Sequence, residues 1–233
     1  MLALAAAVAA GMLIGVVNGF LVSYIGISAF VATLGMMTVN TGLAFIISGG
    51  TTIFGRAIPE AFRDFGQQGI HLAMVNERAV RLPYLTILAL IVLIVVYIVL
   101  EQTVFGRRLY AIGGNMEASR LSGVRVRKLR LLAFVISGLG AAVAGLMLTS
   151  RVASANPTLG DGLMLDAIAA VFLGMTMSHE GEPHVLGTLL GVLILGVLAN
   201  GLTQMSVDPY IQQVLTGGII ILAVTLSSLS RRS

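Results

Sequence analysis

No cysteine and no tryptophan occur among the 233 residues, lysine occurs once, and charged residues make up only 10% of the chain. Without cysteine there is no disulfide, no thiol nucleophile and no Cys-ligated metal site. That absence leaves the redox compartment open. Without tryptophan one kind of interfacial anchor is lost, and Tyr24, Tyr84 and Tyr210 remain to take that place. The single lysine, Lys128, sits in Val126-Arg127-Lys128-Leu129 with no glycine cradle before it. A P-loop needs its lysine directly after a glycine loop to reach the phosphates, so ATP hydrolysis by that route is excluded.

Charge is also absent over long distances. The first charged side chain is Arg56. With 57% hydrophobic residues and a mean hydropathy of +0.99, the composition is that of a polytopic helical membrane protein rather than a water-soluble globule. The sequence pI of about 10.0 reflects membrane topology and not nucleic-acid binding, because Lys and Arg collect in cytoplasmic loops. The N-terminus has no basic region and no clear cleavage site, so it does not read as a secretory signal.

Seven apolar segments follow from hydropathy, at residues 4–25, 28–48, 84–100, 131–150, 163–178, 185–205 and 210–229. A span needs about 20 apolar residues, so 163–178 is short and reads as a crossing, re-entrant or broken helix. Half of the 14 basic residues fall between Gly106 and Arg130, namely Arg107, Arg108, Arg120, Arg125, Arg127, Lys128 and Arg130, against the single acid Glu117. Placing this loop in the cytoplasm makes 49–83 and 151–162 external. If 163–178 crosses fully, it also returns Arg231 and Arg232 to the cytoplasm, in agreement with the charge rule at a second place. Met1 then lies outside, as if upstream helices were missing.

Glycine at 11, 15 and 19, and again at 187 and 191, forms four-residue stripes that predict close helix packing in lipid. Polar uncharged residues inside the apolar segments are Asn18, Thr33, Asn40, Asn200, Gln204, Gln212 and Gln213. They read either as interhelical hydrogen-bonding groups or as the lining of a passage for a hydroxylated solute. The candidate translocation path comprises Asn18, Asn40, Asp166, Asn200 and Gln204. Asp166 is the sole acid within a segment, and its other reading is a helix-capping group just beyond Pro157-Thr158-Leu159-Gly160-Asp161-Gly162.

Catalytic signatures are missing. His179 and His184 are five residues apart, with Gly181 and Pro183 between them, whereas a zinc helix places two histidines four apart. The segment reads as a cytoplasmic turn, with no metal. Ser48 and Ser137 lack the glycine pattern of an activated serine and have no evident histidine partner.

In the basic loop, Asn115 after Gly113-Gly114 predicts a helix cap, Glu117 falls in the first turn, and Gly123 closes the segment. The expected product is a short cytoplasmic helix suited to docking into a partner's groove. Here the chain resembles permease subunits of bacterial ABC importers for ribose and related monosaccharides, a branch of the branched-chain amino acid/ribose-type permease family. The stretches that carry the resemblance are Gly106-Arg-Arg-Leu-Tyr-Ala-Ile-Gly-Gly-Asn-Met-Glu-Ala-Ser-Arg-Leu-Ser-Gly-Val, Ala155-Asn-Pro-Thr-Leu-Gly-Asp-Gly, Asp166-Ala-Ile-Ala-Ala-Val-Phe-Leu-Gly and Leu186-Gly-Thr-Leu-Leu-Gly.

The resemblance implies an all-α polytopic transmembrane bundle, here of about seven spans with a short coupling helix, multi-pass in the bacterial cytoplasmic (inner) membrane. Residues 1–233 are expected to form one permease domain, with 106–130 as its coupling loop and the family's N-terminal helices missing. The implied function is import of a monosaccharide or related polyol, with hydrolysis in a partner ATPase; the alternative is an ATP-independent secondary transporter or channel. Implied partners are an ATP-binding subunit, a periplasmic sugar-binding protein, a second permease copy or homologue, and membrane lipid, with no nucleic acid and no cofactor. The residues matching the ATPase contact are Asn115, Glu117, Ala118, Arg120, Leu121 and Gly123. One departure is Gly174-Met-Thr-Met-Ser-His-Glu-Gly-Glu-Pro-His184, where ribose-type members have a glycine-rich turn.

Overall fold

The computed structural model describes residues 2–55, 58–75, 78–176 and 182–230. Each of the seven apolar segments is a helix. Helix α1 spans Leu2–Phe20 and runs on through a π turn, Leu21–Ile25, to a left-handed Gly26 at φ 88°. Helix α2 spans Ala29–Ser48, and α4 spans Tyr84–Tyr97 with a second π turn at Ile98–Gln102. The longest helix, α7, covers Val126–Val152; α8 is Leu163–Thr176, α9 is Val185–Gln204 and α10 is Pro209–Ser230. Among the described residues five helices, of 19 to 27 residues, are long and apolar enough to cross a membrane, and α8 is apolar but shorter. The architecture is an all-α polytopic membrane bundle.

Its outer surface belongs in lipid. Ile46, Ile47 and Val197 are 77%, 82% and 72% exposed. Exposed apolar surface on that scale is incompatible with a monomer in water and natural against acyl chains.

The chain forms two compact units, Met1–Leu159 and Gly160–Ser233. In the first, α1 crosses α7 antiparallel through the predicted glycine stripe. A Cβ on Gly11 would stand 2.6 Å from the Gly138 carbonyl oxygen, and one on Gly19 would stand 3.0 Å from Leu131 Cα. Only hydrogen fits, so the two main chains touch and gain dispersion contact that a larger residue would forbid. In the second unit α8 and α9 use the same device: Gly174 abuts Gly187, and Gly191 abuts the Ala170 carbonyl.

The segment between α2 and α4 carries structure that hydropathy did not suggest. Strand β1 (Ile53–Phe54) pairs antiparallel with β4 (Ser154–Ala155), and α3 covers Glu60–Gln67. Strands β2 (Gly69–Val75) and β3 (Arg78–Pro83) form a hairpin with an irregularity between His71 and Ala73. Ser150, 1% exposed, donates a hydrogen bond to the Phe62 carbonyl at 2.5 Å, and Asn156 Nδ2 donates to Thr52 Oγ1 at 3.0 Å. These contacts bring residues 52–54 and 62–66 together with residues 150–156 at the C-terminal end of α7. Two segments assigned to one membrane side by charge alone therefore meet in space.

Candidate functional site

The other end of α7 carries the basic loop. It folds as two short helices, α5 (Val104–Gly114) and α6 (Met116–Leu121). Thr103 begins α5, its side chain accepting from the Gly106 N–H, and Gly106 sits where a Cβ would overlap the Leu100 carbonyl. Gly113 and Gly114 complete the last turn of α5 rather than forming a loop.

Asn115 is the hinge between the two helices. Its backbone is extended (φ −150°, ψ 102°), and its side-chain oxygen accepts from the Ala118 N–H at 2.9 Å. This is the predicted N-cap, worth about 1 kcal/mol in typical hosts. Glu117 lies in the first turn, where a carboxylate meets the positive end of the helix. At the far end the Gly123 N–H bonds to the Arg120 carbonyl at 3.0 Å and the Val124 N–H to the Ser119 carbonyl at 3.1 Å, with Gly123 at φ 80°. A six-residue helix cannot persist on propensity alone, and here both ends are tied by these bonds.

All six residues singled out in this loop are solvent-exposed: Asn115, Glu117, Ala118, Arg120, Leu121 and Gly123. Arg120 Nη2 lies 3.6 Å from Glu117 Oε1, with both side chains more than half exposed. A pair so open to water contributes little to stability. Leu121, at the end of α6, is 78% exposed although apolar, and Met116, at its start and marked out by no sequence signal, is 49% exposed. Arg130 Nη1 reaches Met116 Sδ at 3.7 Å and ties α6 to the first turns of α7. Ser119 is buried and faces inward. The surface so presented is apolar and charged together, on a helix anchored at both ends.

The polar candidates of the spans are distributed over both units. Asn18 on α1 is half-buried, and its Oδ1 has no hydrogen-bond partner; Ser23 Oγ, within the π turn, is in the same condition. Asn40 on α2 is half-buried. Asn200 and Gln204 are exposed on α9 and bonded to each other at 3.4 Å. Asp166 is exposed in the first turn of α8. Because α8 and α9 run antiparallel, Asp166 lies toward the same end of that pair as Asn200 and Gln204. Among the described residues no cluster of three acidic, histidine or cysteine side chains is placed to hold a metal. His179 and the turn around it lie outside the described residues.

The sequence profile described as branched-chain amino acid transport system / permease component matches residues 1–224. The chain belongs to that family. Within the family it is similar to the ribose import permease protein of Bacillus subtilis, 40% identical over 209 residues covering 90% of this chain and 62% of the relative. It is 38% identical to the Escherichia coli (strain K12) ribose import permease protein over 228 residues, 98% of this chain and 69% of the relative. Identity is also 38% to the galactose/methyl galactoside import permease protein of Haemophilus influenzae, over 224 residues, 95% of this chain and 65% of the relative. The chain thus spans about two thirds of the length of these family members. No solved structure matches it.

Proposed function

We propose that the chain is the membrane-spanning permease subunit of an ABC importer that carries a monosaccharide or related polyol into the cytoplasm. All seven apolar helices serve as spans in this reading, α8 included, in a bacterial inner membrane. The basic loop is cytoplasmic, and α6 is the coupling helix that docks on a separate ATP-binding subunit. The segments around β1 and β4 face a periplasmic sugar-binding protein, and a second permease copy or homologue completes the passage. Asn18, Asn40, Asp166, Asn200 and Gln204 contribute polar groups to that passage.

The observation that carries the reading is α6. A helix of six residues, capped at Asn115, stopped at Gly123 and showing Leu121, Met116 and the Glu117–Arg120 pair to solvent, has little to do for the fold. It has the form of a rigid knob for a groove. Closure of the ATP-bound partner would push that knob, and α5 and α7, joined directly to it, would pass the motion into the spans as rigid bodies.

The test is capture of the neighbouring ATP-binding subunit by the full chain in detergent. Glu117→Arg and Leu121→Asp should each weaken capture about ten-fold or more, as expected for anchors in a small interface. Neither should impair membrane insertion, since both side chains are exposed. Undiminished capture by both variants would remove α6 from the interface. Solute uptake without any ATP-binding subunit would favour the ATP-independent alternative.

A further inference from the structure

Three cations from two helices and the turn between them converge on one cavity beside α6. It holds about 450 Å³, opens to solvent, and is lined by Arg108 of α5, residues 122–125 of the connecting turn, Gly123 among them, and Lys128 and Leu129 of α7. No carboxylate pairs with these cations: the ion pairs among the described residues join Arg63 to Asp64 and Arg120 to Glu117. Topology accounts for a surplus of basic residues in the loop. It does not account for three of them sharing a cavity that contains no acid, where each repels the others. The arrangement lacks its counter-charge.

Depth identifies what supplies it. The uninterrupted apolar part of α7 begins at Leu131, and the twenty residues to Ser150 rise about 30 Å, the thickness of the hydrocarbon core. Lys128 is then about 5 Å and Arg125 about 9 Å beyond the core along the helix axis. The polar headgroup layer occupies roughly 5–8 Å on each side. Lys128 thus stands at headgroup level and Arg125 just past it, within reach of that layer through its long side chain, and the half-buried Leu129 adds an apolar lining residue one position nearer the core. Free anions in solution need no such depth.

We propose that this notch seats the phosphate of an anionic phospholipid headgroup. Basic pockets at the membrane surface of a helical bundle recognise such lipids by the same chemistry. Arg108 and Arg125 offer planar donor forks to the phosphate oxygens, and Lys128 adds a point charge. A lipid held there braces the junction of α5 and α7, on which α6 is mounted. The inference needs only that α7 crosses a membrane; it shares Gly123 with the proposed ATPase contact and does not otherwise rest on the importer reading.

Titration of phosphatidylglycerol into the full chain, held in phosphatidylcholine nanodiscs and followed by native mass spectrometry, tests it. Combining Arg108→Gln, Arg125→Gln and Lys128→Gln should weaken phosphatidylglycerol binding on the order of 100-fold, about five-fold for each cation. Arg107→Gln with Arg127→Gln, in the same loop but outside the notch, should leave binding unchanged; a loss there of about five-fold for each cation, roughly 25-fold for the pair, would reduce the effect to net charge and overturn the proposal. Full binding by the triple variant would overturn it directly. Should the triple variant fold poorly, Arg108→Gln against Arg108→Lys decides in its place, with only Lys retaining the lipid. Inorganic phosphate should not displace the lipid, and displacement would make this a free-anion site. A triple variant that keeps the lipid but loses the ATP-binding subunit would make it a protein-docking surface instead.

Discussion

Gly15 of α1 rests against the main chain of Phe134 in α7, so closely that a Cβ on it would stand 2.5 Å from the Phe134 carbonyl oxygen. A flexible side chain could yield to such an intrusion, but two helix backbones cannot. Gly15→Ala should therefore destabilise the chain by about 1–3 kcal/mol, read as a lower unfolding midpoint in detergent. The control is Gly35→Ala in α2, where an added Cβ meets nothing within 4 Å. There only the gain in helix propensity operates, up to about 1 kcal/mol in favour of the variant. Opposite signs for the two changes are expected, and a stabilised Gly15→Ala would refute the crossing.

The stop of α6 depends on Gly123 for a different reason. Its φ of 80° is left-handed, yet a Cβ would find open space around it. The cost of Gly123→Ala is thus conformational and not steric, roughly 1–2 kcal/mol. Gly123→Asn should lose less, because asparagine tolerates that region. Hydrogen exchange over residues 116–124 should rise in the order Gly, Asn, Ala. Equal protection in all three would mean that the turn does not hold the helix end.

How far such features can be read from sequence depends on what enforces them. The glycine stripes and the Asn115 cap are local and periodic, so spacing alone exposes them, and the helices that follow hydropathy are enforced by lipid. Hydropathy starts the fourth apolar segment at residue 131, whereas α7 begins at Val126. Arg127, Lys128 and Arg130 lie in its first turns against the helix dipole, where propensity rules disfavour cations. Membrane topology outweighs that local penalty. The pairing of β1 with β4 joins residues 53–54 to 154–155, and no pattern within either segment announces the other. Convergence of Arg108 with Arg125 and Lys128 is hidden for the same reason: it arises when the chain turns back after α6.

Ser150 is the chief polar tie between α7 and α3. It is 1% exposed and bonds to the Phe62 carbonyl at 2.5 Å, while Gly66 leaves room for it. Ser150→Ala removes that bond without adding bulk and should cost about 1 kcal/mol. The loss should be confined to its surroundings. Hydrogen exchange or limited proteolysis should loosen residues 60–67 and leave α8 and α9 untouched. Loosening of both units alike would mean that Ser150 supports the general fold and not the docking of α3.

Asp166 separates two roles that a lone acid in a membrane segment can play. It lies in the first turn of α8, exposed, with its backbone N–H bonded to the Gly162 carbonyl at 3.3 Å. A carboxylate there opposes the positive end of the helix dipole, a favourable term of about 0.3–1 kcal/mol. Asp166→Asn keeps the shape and removes the charge. If the charge serves the helix end, the variant unfolds slightly earlier and transports the same solutes in the same order of preference. Reconstituted uptake measured with a panel of monosaccharides and polyols distinguishes the cases. A changed preference at unchanged expression would place the carboxylate in contact with the moving solute, and the helix-end role would then be secondary.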